Sequence, residues 1–530
     1  MDDLILINDD PRFLLVSLNI DTILGEVTIS DRRQKLNEMT KGNHLGDAYA
    51  TTIARMKAQK GGRSRLGMEA LMWVSNSERP LHTSELCHAL GVKIGSSDLD
   101  VENVPTIRTL LACSLGLLTI EASSSTVRLV HFSLQEYLSD NPSLFQSPHS
   151  MIAEVCLTYL NFRCVRELSP TLSLALATAP LVGYASSCWG GHVKRAGIVA
   201  PLVMKLLLEF EQHISSQLLL LRYYEDESFC ELDLCKSRCF KGFTGLHGAA
   251  FFGILEIFAT LLVIKEWDIN ATDTGGRTAL AWAAVGGHED VVAMILQRKG
   301  VEADTADTGH GLTPLLLAVV CGHAGVVKLL LERKDVNPNT ADTKHGITPL
   351  TLAAVDGNEG IVKLILERED VNPNTAGTEN GVTPLLLAVV NEDEGMAKLL
   401  LEREDINPNL ADTKYGQTPL AWAAENGHEG AVKLLLERAD VNPDILDLSG
   451  KTALQLAVSG GHTRVVKLLS ALKPPLPSQP ISTKFPSTPH LISLTYPRAP
   501  VGLSRWFSFP RPSPFPRIPD PSLEKQLPPS

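Results

Sequence analysis

The sequence is poor in aromatic residues and in cysteine. Phe, Trp and Tyr make up 5% of its 530 residues, and its nine cysteines lack the paired spacing of a small disulfide-bonded domain. This pattern excludes a disulfide framework and favours a reducing compartment, cytoplasmic with the nucleus left open. Cys230, Cys235 and Cys239, with His247 downstream, are candidate zinc ligands. Because zinc sites favour a closer Cys-x2-Cys spacing, we expect no metal site.

Catalytic motifs are also missing. A phosphate-binding loop needs Gly-x4-Gly-Lys-Ser/Thr. The one Gly-Lys-Thr, which begins at Gly450, has Ile445 where the upstream glycine is required. His288 and His428 each precede a glutamate as in a zinc-protease helix, but no second histidine follows at the required step. We therefore expect no enzyme activity, no cofactor and no bound nucleotide.

Positive charge is scarce in the second half of the chain. Residues 244–472 hold 18 Lys and Arg against 31 Asp and Glu, a net charge of −13, whereas residues 473–530 hold seven against two, a net charge of +5. An acidic surface disfavours nucleic acid and fits a protein partner, although acidity also keeps a long chain soluble. Residues 168–191 carry no charged side chain, but Pro170 and Pro180 argue against a membrane span.

A threonine recurs at steps of 34 or 35 residues through the second half of the chain. The series is Thr244, Thr278, Thr313, Thr348, Thr383, Thr418 and Thr452. Each begins a block of Thr-Pro-Leu-x-x-Ala-Ala, Gly-His, Val-x-Leu-Leu-Leu and Asp-Val-Asn type. Thr348 is a predicted helix N-cap, Gly357 a predicted turn and Pro373 a predicted helix break. A period of this length predicts a solenoid of stacked helix pairs.

This block resembles the ankyrin repeat, with about seven repeats over residues 241–472. The resemblance implies a mostly α fold that binds other proteins and has no chemistry of its own. Ankyrin repeats usually carry a histidine three residues after the threonine, and only His247 keeps it, so the other loops are expected to be less rigid. Glu392 and Asp393 stand where other repeats have Gly-His, which predicts a looser turn there.

Residues 63–140 predict a winged-helix domain. The predicted elements are helices over residues 66–74, 84–90 and 104–114 and strands over residues 117–120 and 127–131. Thr83 is the expected N-cap of the second helix. The third helix offers a single arginine, Arg108, which is a weak basic footprint for DNA. A winged helix that packs against protein is therefore favoured over a DNA-binding one.

Three further segments sharpen the resemblance. Residues 130–138 read Val-His-Phe-Ser-Leu-Gln-Glu-Tyr-Leu, residues 154–160 read Glu-Val-Cys-Leu-Thr-Tyr-Leu, and residues 184–192 end in Trp-Gly-Gly-His. They resemble the region after the nucleotide-binding core in fungal NACHT–ankyrin proteins, which includes a winged helix of GPI-inositol-deacylase type. The resemblance implies that residues 1–62 are a helical remnant of the NACHT-type module and that residues 141–240 are a helical connector.

The last segment, residues 473–530, contains 16 of the 32 prolines and is expected to be a disordered Pro-rich tail. Its Pro and Arg residues leave open a role as a polyproline ligand.

Two functional hypotheses follow. The first is a non-catalytic scaffold or sensor that binds protein partners through its repeats, and the resemblance implies a setting in fungal non-self recognition or signalling. The second is a fragment of a NACHT signalling ATPase whose nucleotide-binding core is absent from this sequence. Successive loop tips differ while their flanks stay alike, which predicts partner contacts at His310, Lys344, His345, Glu379, Asn380, Lys414 and Tyr415. Tyr415 is the expected anchor, and packing on Pro408 is its structural alternative.

Overall fold

The computed structural model describes residues 28–31, 45–168, 178–197, 201–226, 242–377 and 380–471. These residues divide into two compact units, one ending at Trp267 and the other beginning at Asp268. The three candidate zinc-binding cysteines, the Pro-rich tail and the predicted helices before residue 28 lie outside the described ranges.

The first unit begins with a winged helix. Its elements are α1 Leu45–Lys57, α2 Arg63–Asn76, β1 Leu81–His82, α3 Thr83–Gly91, α4 Ile107–Cys113, β2 Leu118–Glu121, β3 Thr126–Leu129 and α5 Phe132–Asp140. The three strands form an antiparallel sheet in the order β1-β3-β2, with Leu81 opposite Val127. The predicted helices and hairpin are confirmed. Strand β1 has only two residues, too few for a period in the sequence to reveal it.

The start of α3 differs from the prediction. The helix is capped by His82, whose Nδ1 accepts the N–H of Ser84 at 3.4 Å, and Glu85 accepts the N–H of His82 at 2.8 Å. Thr83 is therefore the first helical residue and not the cap, because the imidazole reaches the free N–H groups of the first turn. Arg79 pairs with Glu85 at 2.6 Å and fixes this end of the helix.

Between the winged helix and the first repeat pair, the described residues of this unit form five α-helices. They are α6 Pro148–Leu160, α7 Arg163–Arg166, α8 Val182–Ala196, α9 Pro201–Leu208 and α10 Ile214–Asp226. The first repeat pair is α11 Gly245–Phe252 with α12 Leu255–Ile264, and helix α8 packs against α11. A Cβ added at Gly190 would lie 2.1 Å from the ring of Phe252, so glycine is required at this crossing. Trp189 covers the same ring, with the ring centroids 4.8 Å apart.

Buried histidines connect the helices of the first unit. Tyr184 Oη lies 2.9 Å from His192 Nε2, and His192 Nδ1 lies 2.9 Å from His149 Nδ1. Two facing Nδ1 atoms can share only one proton, so at least one of the two rings is neutral. Burial lowers the pKa of His192 to about 3. His213 is also buried, with Nε2 2.9 Å from the carbonyl of Leu160, and burial lowers its pKa to about 4.

The second unit is a stack of six helix pairs. They are α13 Ala279–Gly286 with α14 Glu289–Leu296, α15 Pro314–Val320 with α16 Ala324–Leu331, α17 Pro349–Val355 with α18 Glu359–Leu366, α19 Pro384–Val390 with α20 Glu394–Leu401, α21 Pro419–Asn426 with α22 Glu429–Leu436, and α23 Ala453–Gly460 with α24 Thr463–Ser470. Each first helix starts after a threonine of the series, whose Oγ1 accepts the N–H three residues later. The predicted threonine caps are confirmed, and with α11 and α12 the described residues hold seven helix pairs.

The turn between α19 and α20 contradicts the prediction of a looser connection. Glu392 has φ +56°, close to the +65° of Gly357 at the matching position. The N–H of Asp393 bonds the carbonyl of Ala388 at 2.9 Å, as Asn358 bonds Ala353 at 3.0 Å. The same turn therefore forms without glycine, at the expense of a left-handed conformation that L-residues disfavour.

Arginines join four successive repeats, each to the repeat before it. Arg403 donates from Nη1 to the carbonyl of Leu366 at 2.9 Å and to that of Arg368 at 3.0 Å. Its Nε and Nη2 hold both carboxylate oxygens of Asp405 at 2.8 and 2.6 Å. Arg333, Arg368 and Arg438 make the matching contacts. Each arginine thus caps the C-terminal carbonyls of the preceding second helix, where a cation is favourable.

Asparagine side chains make a second connection between repeats. Asn339 donates from Nδ2 to the carbonyl of Asp370 at 2.7 Å and accepts the N–H of Asn372 at 2.7 Å. Asn270, Asn374 and Asn409 repeat both bonds. Asp304 stands at the matching position in the segment before α15. It accepts the N–H of Asn337, but its buried Oδ1 has no hydrogen-bond partner. Burial raises the pKa of Asp304, and the Asp335 carboxylate adds to the rise.

No helix in the described part of the chain is long and apolar enough to cross a membrane.

Asp304→Asn is expected to stabilise the protein. The amide would supply the donor that an aspartate lacks and would remove a carboxylate facing Asp335, which should raise the free energy of unfolding by about 1 kcal/mol. The measurement is thermal and urea unfolding of the full chain at neutral pH. The reverse exchange, Asn339→Asp, is the matched control and should destabilise by a similar amount. If both substitutions shift stability in the same direction, the asparagine connection does not have the role assigned to it.

Stability of the first unit is expected to fall at acidic pH. His213 has a folded pKa of about 4, whereas a histidine in an unfolded chain titrates near 6.5. Because the folded value is lower, its contribution is present above the unfolded pKa and is lost as the pH falls below it. Going from about pH 7.5 to about pH 5 should cost about 2 kcal/mol for this group.

Thermal unfolding of the full chain across that pH range measures the loss. His213→Asn keeps an acceptor for the N–H of Ser215 and should flatten the acid side of the profile. His82→Asn is the matched control, because the exposed His82 accepts the N–H of Ser84 in the same way. Equal pH profiles for all three proteins would contradict the assignment.

Candidate partner-binding surface

Most loops between repeats are organised by one aspartate, which is buried in all of them except the last, where Asp447 is half-buried. Asp342 Oδ1 accepts the N–H of His345 at 3.1 Å and that of Ile347 at 2.7 Å. Asp273, Asp307, Asp412 and Asp447 hold their own loops in the same manner. These bonds hold the loops in repeats that lack the ankyrin histidine. They provide the restraint that the missing histidine was expected to provide.

Neighbouring loops are also bonded to one another. The N–H of Thr308 donates to the carbonyl of Gly275 at 2.8 Å, and the N–H of Thr343 donates to that of His310 at 2.7 Å. The same bond joins Thr413 to Asn380 and Leu448 to Tyr415. In the first of these loops, the buried Arg277 also lies 3.3 Å from Asp307 of the next loop. The described loop tips are therefore joined in a backbone ladder along one edge of the second unit, which is traced on both sides of residues 378–379.

The loop before α19 departs from this design. Gly377 stands where its siblings have the organising aspartate, although its N–H still bonds the carbonyl of Val382 at 3.3 Å. Thr351 packs close to Gly377. A Cβ added at Gly377 would lie 2.9 Å from Thr351 Oγ1, so a larger residue there would require Thr351 to move. Glu379, one of the predicted contact residues, lies outside the described residues. Asn380 is half-buried and serves the ladder through its carbonyl.

The predicted contact residues in the loops before α15 and α17 differ in accessibility. Lys344 is exposed, and His345 is partly exposed with Nδ1 3.4 Å from Asp342 Oδ2. His310 is only 9% exposed, against the sequence expectation of an accessible loop tip. The next loop bonds its carbonyl through Thr343, and burial lowers the pKa of its ring. His310 therefore presents little surface to a partner in this conformation.

The loop before α21 carries the predicted anchor, Tyr415. Tyr415 is 46% exposed, and its ring meets Trp422 edge-on with the ring centroids 6.3 Å apart. Lys414 places Nζ 4.9 Å from the centre of the Tyr415 ring. Trp422 is held in turn by Asp412, which accepts its Nε1–H at 3.2 Å. The ring contact of Tyr415 is thus with Trp422, in the helix that follows its loop, and nearly half of the residue stays accessible.

Two exposed leucines beside Tyr415 were missed by the sequence reasoning. Leu446 is 58% exposed and Leu448 is 74% exposed. At the matching positions the preceding repeat has Ala411 and Thr413. A comparison of the repeats position by position would have revealed both, since each replaces a small or polar residue with a large apolar one.

Among the described residues, no cluster of three or more His, Cys, Asp or Glu side chains is arranged to hold a metal ion.

Two family models match the chain. Ankyrin repeats match three times, over residues 246–342, 334–412 and 405–475, and the winged helix domain of GPI inositol-deacylase matches residues 53–149. The three ankyrin matches contain three, two and two of the observed helix pairs, which accounts for all seven. The chain therefore carries a winged-helix domain of that type followed by ankyrin repeats.

No curated protein matches the chain. Solved structures that resemble it include the ankyrin repeat domain of Bcl-3, a member of the IkappaB protein family, with 24% identity, a TM-score of 0.39, and coverage of 42% of this chain and 97% of that chain. The human ASB11 ankyrin repeat domain has 26% identity, a TM-score of 0.35, and coverage of 44% and 99%. The ankyrin repeat protein EF0377 has 27% identity, a TM-score of 0.34, and coverage of 38% and 98%.

Proposed function

We propose that the chain is a non-catalytic scaffold that binds another protein through the loop tips of its ankyrin repeats. The observation that carries this proposal is the loop ladder. Buried aspartates and inter-loop bonds hold the loop backbones in one geometry, while the side chains at their tips differ from repeat to repeat. A rigid backbone with variable side chains is the usual basis of specific recognition, because little conformational entropy is lost on binding.

The proposed contact set is Lys344, His345, Glu379, Asn380, Lys414 and Tyr415. His310 is a further member, and a partner would have to increase its accessibility. Tyr415 is the proposed anchor. It is held between Trp422 and Lys414, so its ring is ordered before a partner arrives. Tyrosines in such positions often dominate the free energy of association.

The acidic character of the repeats supports a protein partner rather than nucleic acid. Buried free thiols at Cys87, Cys113 and Cys156 agree with a reducing cellular compartment, which we propose as the location of the chain.

For the biological setting we propose non-self recognition or signalling in fungi. The support is the order of the domains, a GPI-inositol-deacylase-type winged helix before ankyrin repeats, which resembles NACHT–ankyrin proteins. A fragment of a NACHT signalling ATPase is the second candidate. The same domain order favours it, and the repeats would then act as the sensor of a nucleotide-binding core that lies outside this sequence.

Tyr415→Ala is expected to weaken partner binding by roughly 2 kcal/mol, because hot-spot tyrosines lose about that much on truncation. Full-length protein and variants, immobilised and exposed to extracts of the source cells, identify partners whose capture depends on Tyr415, and calorimetry then measures their affinity. Tyr415→Phe keeps the contact with Trp422 and should retain most of the binding.

Lys205→Ala, at an exposed position on α9 of the first unit, is the surface control and should change nothing. Unfolding curves of all three variants separate binding from stability. A partner that binds Tyr415→Ala with unchanged affinity, together with a lowered melting temperature of that variant, would assign Tyr415 to structure and contradict its role as anchor.

A further inference from the structure

The seventh helix pair is the last one described, and the repeat surface on its far side is open. Val336, Val371 and Ile406 at the loop entrances of inner repeats are 1%, 3% and 2% exposed. Val441, at the matching position of the last loop, is only half-buried. Val458 on α23 is 59% exposed. Apolar side chains that each inner repeat covers with its successor are therefore left in solvent at this end.

The arginine series stops at the same place. Arg438 caps the carbonyls of Leu401, Arg403 and Ile406. One repeat later, the matching carbonyls belong to Leu436, Arg438 and Val441, and no side chain in the described ranges donates to them. The sequence register places Leu472 where the next arginine would stand, and Lys473 follows immediately. The nearest cation in the sequence, Lys473, thus stands one position after the arginine register and two residues after the last described residue, Ala471.

The loop ladder ends there as well. Leu448 donates its N–H to Tyr415, but its side chain is 74% exposed, and that of Leu446 is 58% exposed. At the matching positions of the preceding repeat, Ala411 is half-buried and Thr413 is exposed, so the two leucines differ from their siblings in size and polarity rather than in exposure. We call these two leucines, together with Val441 and Val458 of the same end of the stack, the terminal face. Large exposed apolar side chains at the end of a repeat stack favour cover by another segment or chain.

We propose that residues 472–485 of the same chain cover the terminal face and take the place of an eighth repeat. The segment reads Leu-Lys-Pro-Pro-Leu-Pro-Ser-Gln-Pro-Ile-Ser-Thr-Lys-Phe. Its leucines, isoleucine and phenylalanine match an apolar surface, and Lys473 matches the open carbonyls. Its prolines have no N–H group, so the segment can lie against a loop edge with few donors left unsatisfied.

Reach and charge support this occupant over a second molecule. Fourteen residues span up to about 46 Å when extended, several times the length of the eight-residue α24, which rises about 12 Å. The segment is joined to α24, so its effective concentration at the terminal face is high. Residues 473–530 carry a net charge of +5, opposite to the −13 of residues 244–472.

Hydrogen exchange of the full chain tests the proposal without any partner. Residues 472–485 are replaced by a Gly-Ser sequence of equal length, and exchange is followed at the amides of residues 441–451. Removal of the cover should speed exchange there by roughly tenfold or more, while residues 336–347 of an inner loop should be unaffected and serve as the internal control. Leu448→Lys in the otherwise unchanged chain should produce the same local acceleration, and Val263→Lys, at an exposed site of the first unit, should not.

Three outcomes would overturn the proposal. Exchange at residues 441–451 that is the same with and without the native segment would show that the terminal face is uncovered. Protection that rises with protein concentration, together with a dimer mass in light scattering, would make a second copy the occupant. Acceleration spread over both loops would indicate general destabilisation. None of these outcomes bears on whether Tyr415 binds a partner.

Discussion

The second unit depends on hydrogen bonds from side chains of one repeat to the backbone of its neighbour. Arginines reach back to the last carbonyls of the preceding second helix, and asparagines reach forward to the first carbonyl and N–H of the following loop. These groups are ones that a helix or loop cannot satisfy within itself. A helix pair of this size could not keep its apolar face buried alone, so each repeat is stable chiefly because its neighbour supplies both cover and hydrogen-bond partners.

The same constraint explains where variation is tolerated. Positions that bond across repeats are Arg, Asp, Asn and Thr throughout most of the unit, and the exceptions have visible consequences. Asp304 leaves a buried oxygen without a partner, Gly377 removes the organising carboxylate, and Glu392 occupies a left-handed turn. Loop-tip side chains such as Lys344 and Tyr415 point away from these bonds. They can differ freely, and this freedom is what makes them candidates for recognition.

Much of this architecture could be predicted from the sequence, because it depends on local pattern. The threonine spacing placed each first helix and its cap, and alternating strands with a Ser-rich turn placed the β2–β3 hairpin. Features that depend on stacking could not be predicted. A residue such as Arg403 bonds carbonyls 35 and 37 positions earlier, which no local pattern reveals. His310 was expected at an accessible loop tip, yet the following loop covers it. The N-cap of α3 is His82 and not the predicted Thr83, because the imidazole of His82 accepts a backbone N–H of the first turn that the Thr83 side chain does not reach.

The most direct test of neighbour coupling is repeat-resolved hydrogen exchange in the full chain with Arg403→Ala. Arg403 bonds only the repeat before it and Asp405 of its own. Protection should therefore fall by roughly tenfold or more in α17 to α20 and stay unchanged in the winged helix. Lys398→Ala, an exposed position on α20, which ends two residues before Arg403, is the matched control and should leave every repeat as protected as before. Loss of protection spread evenly along the chain, or no loss next to Arg403, would contradict the account.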